Sequence, residues 1–264
     1  MGNKTNYVFE RIEKKYLLSE EKFNQFFQLI EPYMTIDAYG LHTICNIYYD
    51  TDRYDLVRNS IEKPQYKEKL RLRSYGVPND GSKVFLEIKK KCDSTVFKRR
   101  VSLSLKEAED YLEHGVKPGL DSQILNEIDY FLNYYKPKKK VFVAYDRVAL
   151  FGKEDEDLRI TFDIDIRSRS FDLDMKKGDY GKALDGFSGY LMEIKTTNAL
   201  PMWLARILSE LCIYPSSFSK YGVIYKQDLI NESTTEHIVQ EQQCCDEENN
   251  NKTNWRNLKC LQAS

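Results

Sequence analysis

The chain has 264 residues, 41% of them hydrophobic and 31% charged, with 19 Tyr and 13 Phe, so it can bury a core and is not disordered over most of its length. No apolar run reaches the length of a membrane-spanning helix and the N-terminus carries no apolar signal core, so secretion by that route is not expected and the expected location is cytoplasmic. The net charge of −1 is uneven: seven acids and three bases fall in residues 228–264, leaving 37 bases against 34 acids in residues 1–227.

In chain order, alternation first predicts a strand over Val8–Leu18. Ser19 then caps a helix with Glu20 and Glu21 in its first turn and Phe23, Phe26, Phe27 and Ile30 at helical spacing. Strands follow at His42–Tyr49, Lys69–Tyr75 and Lys83–Lys90, the last two joined through the turn residues Pro78–Gly81 as a hairpin. A strand over Val96–Leu103 runs into Ser104 and Glu107, a capping box that opens a helix to about Leu112. A further helix covers Ser122–Tyr135, and strands are predicted at Lys140–Ala149, Arg159–Arg167 and Tyr190–Thr196. Pro201 opens a last helix with Leu204, Ile207, Leu208 and Leu211 on one side.

The remainder, from about residue 230, is polar, rich in Asn and Gln and aperiodic, and is expected to be disordered. With no Gly/Ser-rich or Pro-rich linker, the expected organisation is one domain over 1–227 and an acidic, polar tail over 228–264. Strands with intervening helices but no βαβ alternation indicate an α+β fold with an antiparallel sheet. The six cysteines form no CxxC pair and no zinc spacing with His, as suits a reducing compartment.

The strand faces carry the chemistry. Residues i, i+2 and i+4 share one side of a strand. This groups Arg11, Glu13 and Lys15; Arg71 and Arg73; Glu87 and Lys89; Lys98 and Arg100; Tyr145 and Arg147; Arg159, Thr161, Asp163 and Asp165; and Glu193 and Lys195. The opposite side is apolar on nearly every strand, with Arg99 the misfit in its own. Alternating strands are most often the solvated face of an open sheet. Here, however, the aligned bases outnumber the aligned acids, and the apolar side demands a cover of helices. A sheet covered outside and charged inside is best satisfied by closing into a barrel with a wet, charged lumen. Like charges about 4 Å apart repel by roughly 4 kcal/mol at an effective dielectric near 20. A polyanion relieves that repulsion, and a phosphate chain does so well because Arg binds its oxygens bidentately and Lys as a point charge. Each carboxylate among the bases either pairs with a neighbouring Arg or supplies a hard oxygen ligand to Mg2+ or Mn2+ on the phosphates. Glu193 is the favoured ligand.

RIEKKY (Arg11–Tyr16), LRLRSYG (Leu70–Gly76), FLEIKKK (Phe85–Lys91), FKRRVSL (Phe97–Leu103), YDRVAL (Tyr145–Leu150), RITFD (Arg159–Asp163), LMEIKT (Leu191–Thr196) and SKYG (Ser219–Gly222) follow in one order across about residues 7–226. This set resembles the VTC domain, the polyphosphate polymerases of the triphosphate tunnel superfamily. The resemblance implies an antiparallel eight-stranded β-barrel tunnel with surrounding helices, and transfer of the γ-phosphoryl group of ATP to a growing inorganic polyphosphate, with Mn2+ or Mg2+. It implies that Lys15, Arg71, Arg73, Lys89, Arg147, Arg159 and Lys220 act on the transferred phosphates, and that Arg11, Lys98, Arg100 and Lys195 bind substrate. Glu193, with Glu13 and Glu87, would hold the metal. Hydrolytic relatives begin with Glu-x-Glu-x-Lys, whereas this chain has Arg11, Glu13 and Lys15, which favours the polymerase branch. The alternatives are a tunnel-fold triphosphatase and a polyphosphate-binding module without catalysis. Nucleic acid is not the expected partner, and export of a product would need a separate membrane protein. His42, His114 and His237 have no evident role in this scheme.

Overall fold

The computed structural model describes residues 12–93, 95–120, 122–197 and 199–229. The expected tail from residue 230 on, Arg11, His237 and the cysteines at 244, 245 and 260 lie outside the described residues. The elements run β1 (Ile12–Leu18), α1 (Glu20–Ile30), β2 (Met34–Ile36), β3 (His42–Asp50), α2 (Asp55–Glu62), β4 (Tyr66–Tyr75), β5 (Lys83–Cys92), β6 (Thr95–Ser104), α3 (Leu105–His114) and α4 (Gln123–Tyr135). They continue as β7 (Lys138–Gly152), β8 (Arg159–Arg169), β9 (Lys182–Ala183), β10 (Tyr190–Thr196), α5 (Met202–Glu210) and α6 (Lys220–Ile224). The principal strands are ordered β1-β10-β8-β7-β3-β4-β5-β6, with β2 added on β7 and β9 on β8. The eight expected strands are all present, and the α+β, eight-stranded antiparallel reading holds. No described helix is long and apolar enough to cross a membrane.

The chain forms two compact units, each discontinuous in sequence, through both of which β7 and β8 run. Among the described residues the first comprises 12–40, 147–163 and 187–218, and the second comprises 41–146, 164–186 and 219–229. In the first, Ser19 accepts from the Lys22 backbone N–H and starts α1. That helix buries Phe23, Phe26 and Ile30, and Phe23 stacks on Tyr190 of β10 at 3.7 Å. In the second, Ser104 and Glu107 form the reciprocal capping box of α3. Leu70, Leu72, Leu86, Ile88, Val101 and Leu103 of β4–β6 are buried beneath Ala108 and Tyr111 of α3 and Leu125, Ile128 and Phe131 of α4. Each such Leu or Ile contributes roughly 1.5–3 kcal/mol by leaving water. Arg99, out of phase on β6, lies opposite Ile88 and reaches Glu127 of α4 at 3.0 Å, so the apolar side carries an ion pair at its edge.

Candidate functional site

The polar side of β3–β6 belongs to the second unit, and its register sets out rows of side chains. Tyr48, Arg71, Glu87 and Arg100 stand directly opposite one another on four successive strands. The next row is Lys69, Lys89 and Lys98. Directly opposed side chains have Cβ atoms about 4.5–5.5 Å apart, so three lysines in one row repel. The alternation of β4 sends Leu70 and Leu72 to the core and thereby fixes Arg71 and Arg73 on this side.

Glu87 organises the arginines. Its Oε2 accepts from Arg71 Nε at 2.7 Å and lies 3.8 Å from Arg73 Nε, while its Oε1 is 3.1 Å from Lys98 Nζ. Arg71 also donates to the Tyr48 hydroxyl at 3.2 Å. Arg73, 5% exposed, donates to Asn46 Oδ1 at 3.0 Å and to the Tyr145 hydroxyl at 3.2 Å. Both guanidinium planes are held before any ligand arrives. Burial opposes the charged form of Glu87, but Arg71, Arg73 and Lys98 override it and hold the carboxyl at about 2.

The segment Ser219–Gly222 joins the same side. Lys220, 9% exposed, places Nζ 4.2 Å from the centre of the Tyr145 ring. Ser219 Oγ accepts from Lys69 Nζ at 3.0 Å. Tyr221 stacks on Tyr48 at 4.8 Å and donates to Asp50 Oδ2 at 2.9 Å. Asp50 also accepts the backbone N–H groups of Thr51, Leu56 and Val57, holding the start of α2. Burial raises the Asp50 carboxyl, and burial with the Asp50 charge pushes the Tyr221 phenol up, so Tyr221 stays a donor.

Lys98 gives a pH signature. Partial loss of water, with Arg71 and Arg73 adding to it and Glu87 opposing, lowers its ammonium to about 8, a shift that solvent weakens because the side chain stays 43% exposed. The group is therefore charged below about pH 8 and neutral above it, and a bound polyanion restores the charge. Polyphosphate binding near pH 8 is expected to take up a proton, and binding at pH 6 is not. Calorimetry in two buffers of different ionisation heat checks this; a buffer-independent heat at pH 8 contradicts it.

In the first unit the rows on β1, β10 and β8 are Lys15–Glu193–Thr161 and Glu13–Lys195–Arg159. Glu193, 7% exposed, lies 3.4 Å from Lys15 Nζ, 3.2 Å from Lys195 Nζ and 3.8 Å from an Arg147 nitrogen. Arg147 forks onto fully buried Asp163 at 2.5 and 2.7 Å, which orients its guanidinium. Lys15 donates to the Phe218 carbonyl at 2.9 Å, and Arg159 lies over the Phe151 ring at 4.8 Å.

Of the sequence-expected residues, Arg71, Arg73, Lys89, Lys98, Arg100 and Lys220 thus come from the second unit, and Lys15, Arg147, Arg159 and Lys195 from the first. Arg100 stacks over Phe85 at 4.7 Å. Glu87, like Glu193, faces three cations in the structure, and its Oε2 orients the Arg71 guanidinium. Asp165 leaves the expected row: its φ of 49° breaks the alternation of β8, and its carboxylate turns to Arg167 at 3.0 Å. Among the described residues no three His, Cys, Asp or Glu side chains gather as a metal cage. Glu193 nonetheless fits a divalent ion held mainly by substrate, because Mg2+ takes one or two carboxylates and completes its shell with phosphates and water. Asn46, Tyr48, Lys69, Tyr145, Ser219 and Asp50 escaped the sequence reading as site residues. For Tyr48 and Asn46 the signal was present, since both stand two residues apart on one predicted strand.

The sequence profile of the VTC domain matches residues 10–227. No curated protein matches the chain. A candidate adenylate cyclase from Bacillus halodurans is similar at 18% identity and a TM-score of 0.54, over 83% of this chain and 97% of its own. A candidate adenylyl cyclase from Hippeastrum with a dominant triphosphatase activity is similar at 18% identity and a TM-score of 0.50, over 82% and 95%. At these identities the structural likeness concerns the fold. The profile match spans both units and every described residue of the two basic clusters, and the chain belongs to the VTC domain family.

Proposed function

We propose that the protein is a polyphosphate polymerase of the cytoplasm that transfers the γ-phosphoryl group of ATP to the end of an inorganic polyphosphate chain. A terminal oxygen of the chain bonds to the γ-phosphorus, the bond from that phosphorus to the β–γ bridging oxygen breaks, and ADP leaves with its electron pair. The observation that carries this reading is the state of the buried carboxylates. Glu87, Glu193 and Asp163 each face Arg or Lys, and Glu87 is held at about 2. A carboxylate so acidic is a poor base for activating water. Transfer to a phosphate chain needs no such base, because the nucleophile is already an anion; it needs positioning and charge neutralisation. Arg71 and Arg73 supply planar, preset donors, and Lys220, Lys89 and Lys98 supply point charges. Glu193 is the residue proposed to hold Mn2+ or Mg2+, which neutralises phosphate charge when bound.

Incubation with ATP and Mn2+ tests the reading: long-chain polyphosphate is expected to accumulate with ADP, and release of orthophosphate alone overturns it in favour of a triphosphatase. Binding of polyphosphate with no turnover of ATP favours a binding module instead. Glu193→Gln is expected to raise the metal concentration for half-maximal turnover by roughly tenfold or more. An unchanged metal requirement removes Glu193 from the metal.

A further inference from the structure

We propose that Lys67 and Lys91 form a distal subsite that holds the inorganic polyphosphate chain beyond the phosphates bound at Arg71, Arg73 and Lys220. The proposal rests on the polymerase reading for the identity of the anion. Its own support is the register of β4 and β5. Below the Arg71–Glu87 row comes Lys69 opposite Lys89, and below that Lys67 opposite Lys91, all on the same side of the sheet. At about 3.4 Å per residue, the six residues from Arg73 to Lys67 extend the basic side by roughly 20 Å. That length exceeds a triphosphate and suits a polymer.

The charges are also sorted between the two sides. In the same stretch Glu68 lies opposite Lys90 on the helix-covered side, at 3.7 Å, with Glu127 of α4 3.4 Å from the same ammonium. The acid that would neutralise Lys67 and Lys91 therefore points away from them. Glu62 and Asp93, beside this stretch in sequence, are exposed, and neither forms an ion pair with Lys63, Lys67 or Lys91 among the described residues. Directly opposed like charges destabilise a sheet, and a solvated face ordinarily avoids them by alternating sign. Lys67 is fixed in place by donating to the Ser60 carbonyl of α2 at 3.1 Å. Its ammonium is lowered by loss of water and then by Lys91, Lys63 and Lys89, so all three of these lysines act on it. The subsite lies where β5 ends at Cys92 and turns back into β6, at the end of the basic rows.

The test compares the full chain with Lys67→Ala/Lys91→Ala, measuring affinity for inorganic triphosphate and for long-chain polyphosphate. Loss of two lysine–phosphate contacts is expected to weaken long-chain binding on the order of tenfold, with triphosphate affinity unchanged. Lys67→Arg/Lys91→Arg is expected to restore long-chain affinity. Equal long-chain affinity in wild type and the Ala variant overturns the subsite, as does an equal loss for both ligands. If only oligonucleotide affinity falls, the patch reads nucleic acid and the subsite is again overturned. Failure of the wild type to bind either phosphate ligand defeats the polymerase reading itself and the subsite with it.

Discussion

Glu87→Gln is expected to destabilise the free protein by about 3 kcal/mol and to regain much of that loss when polyphosphate is added. Glu87 is 2% exposed and compensates Arg71, Arg73 and Lys98, at 2.7, 3.8 and 3.1 Å. The amide keeps the shape and removes the charge, leaving buried Arg73, part-buried Arg71 and exposed Lys98 without the carboxylate they share. The same group makes a pH prediction for the wild type. Its carboxyl is lowered from 4.5 to about 2 in the folded state, so its stabilisation is fully present above about pH 4.5 and is lost as pH falls toward 2. The shift corresponds to about 3 kcal/mol, in line with the mutational figure. Urea unfolding with and without polyphosphate measures both effects. An unchanged midpoint, or a loss that polyphosphate does not relieve, would remove Glu87 from its organising role.

Lys220→Met is expected to reduce polymerisation by roughly 100- to 1000-fold, the scale of losing one preset group that stabilises transferring charge, while leaving the fold intact. The Met side chain retains the apolar stem over Tyr145 and takes away an ammonium that is 9% exposed. The surrounding segment explains the precision of placement. Gly222 donates its N–H to Ser219 Oγ at 3.3 Å, and a Cβ at 222 would approach Ser219 at 3.3 Å, so the turn closes tightly before Tyr221 anchors to Asp50. Turnover and unfolding measured on one preparation separate the two effects. Turnover within a few-fold of wild type would show that Lys220 does not touch the transferred phosphate.

The sequence made the sheet legible because its strands alternate so strictly. Leu70–Arg71–Leu72–Arg73 could take only one phase, and the structure has that phase. The capped helices α1, α3 and α4 were equally plain, since Ser19, Ser104 and Ser122 each stand at the cap. Helix α2 was not, because its cap acts from a distance: the Asp50 carboxylate reaches forward to Leu56 and Val57 across a loop, and Tyr54 enters with φ of 58°. For the site, alternation gave the aligned charges but not their pairing. Which acid neutralises which base depends on register between strands, and register joins Arg71 to Glu87 across 16 residues of chain. Lys220 came from the family resemblance, as its helix has five residues and no periodic signal. The resemblance could not supply Asp50 or Tyr48, whose roles follow from contacts with Tyr221 and Arg71.

The central claim is that the basic side of β3–β6 is the path of a phosphate chain. A crystal structure of the protein soaked with short-chain polyphosphate tests it most directly. The account predicts linked phosphates against Arg71, Arg73 and Lys220, with Glu87 still paired to Arg71. Phosphates bound elsewhere on the protein, with none against these three side chains, would contradict it.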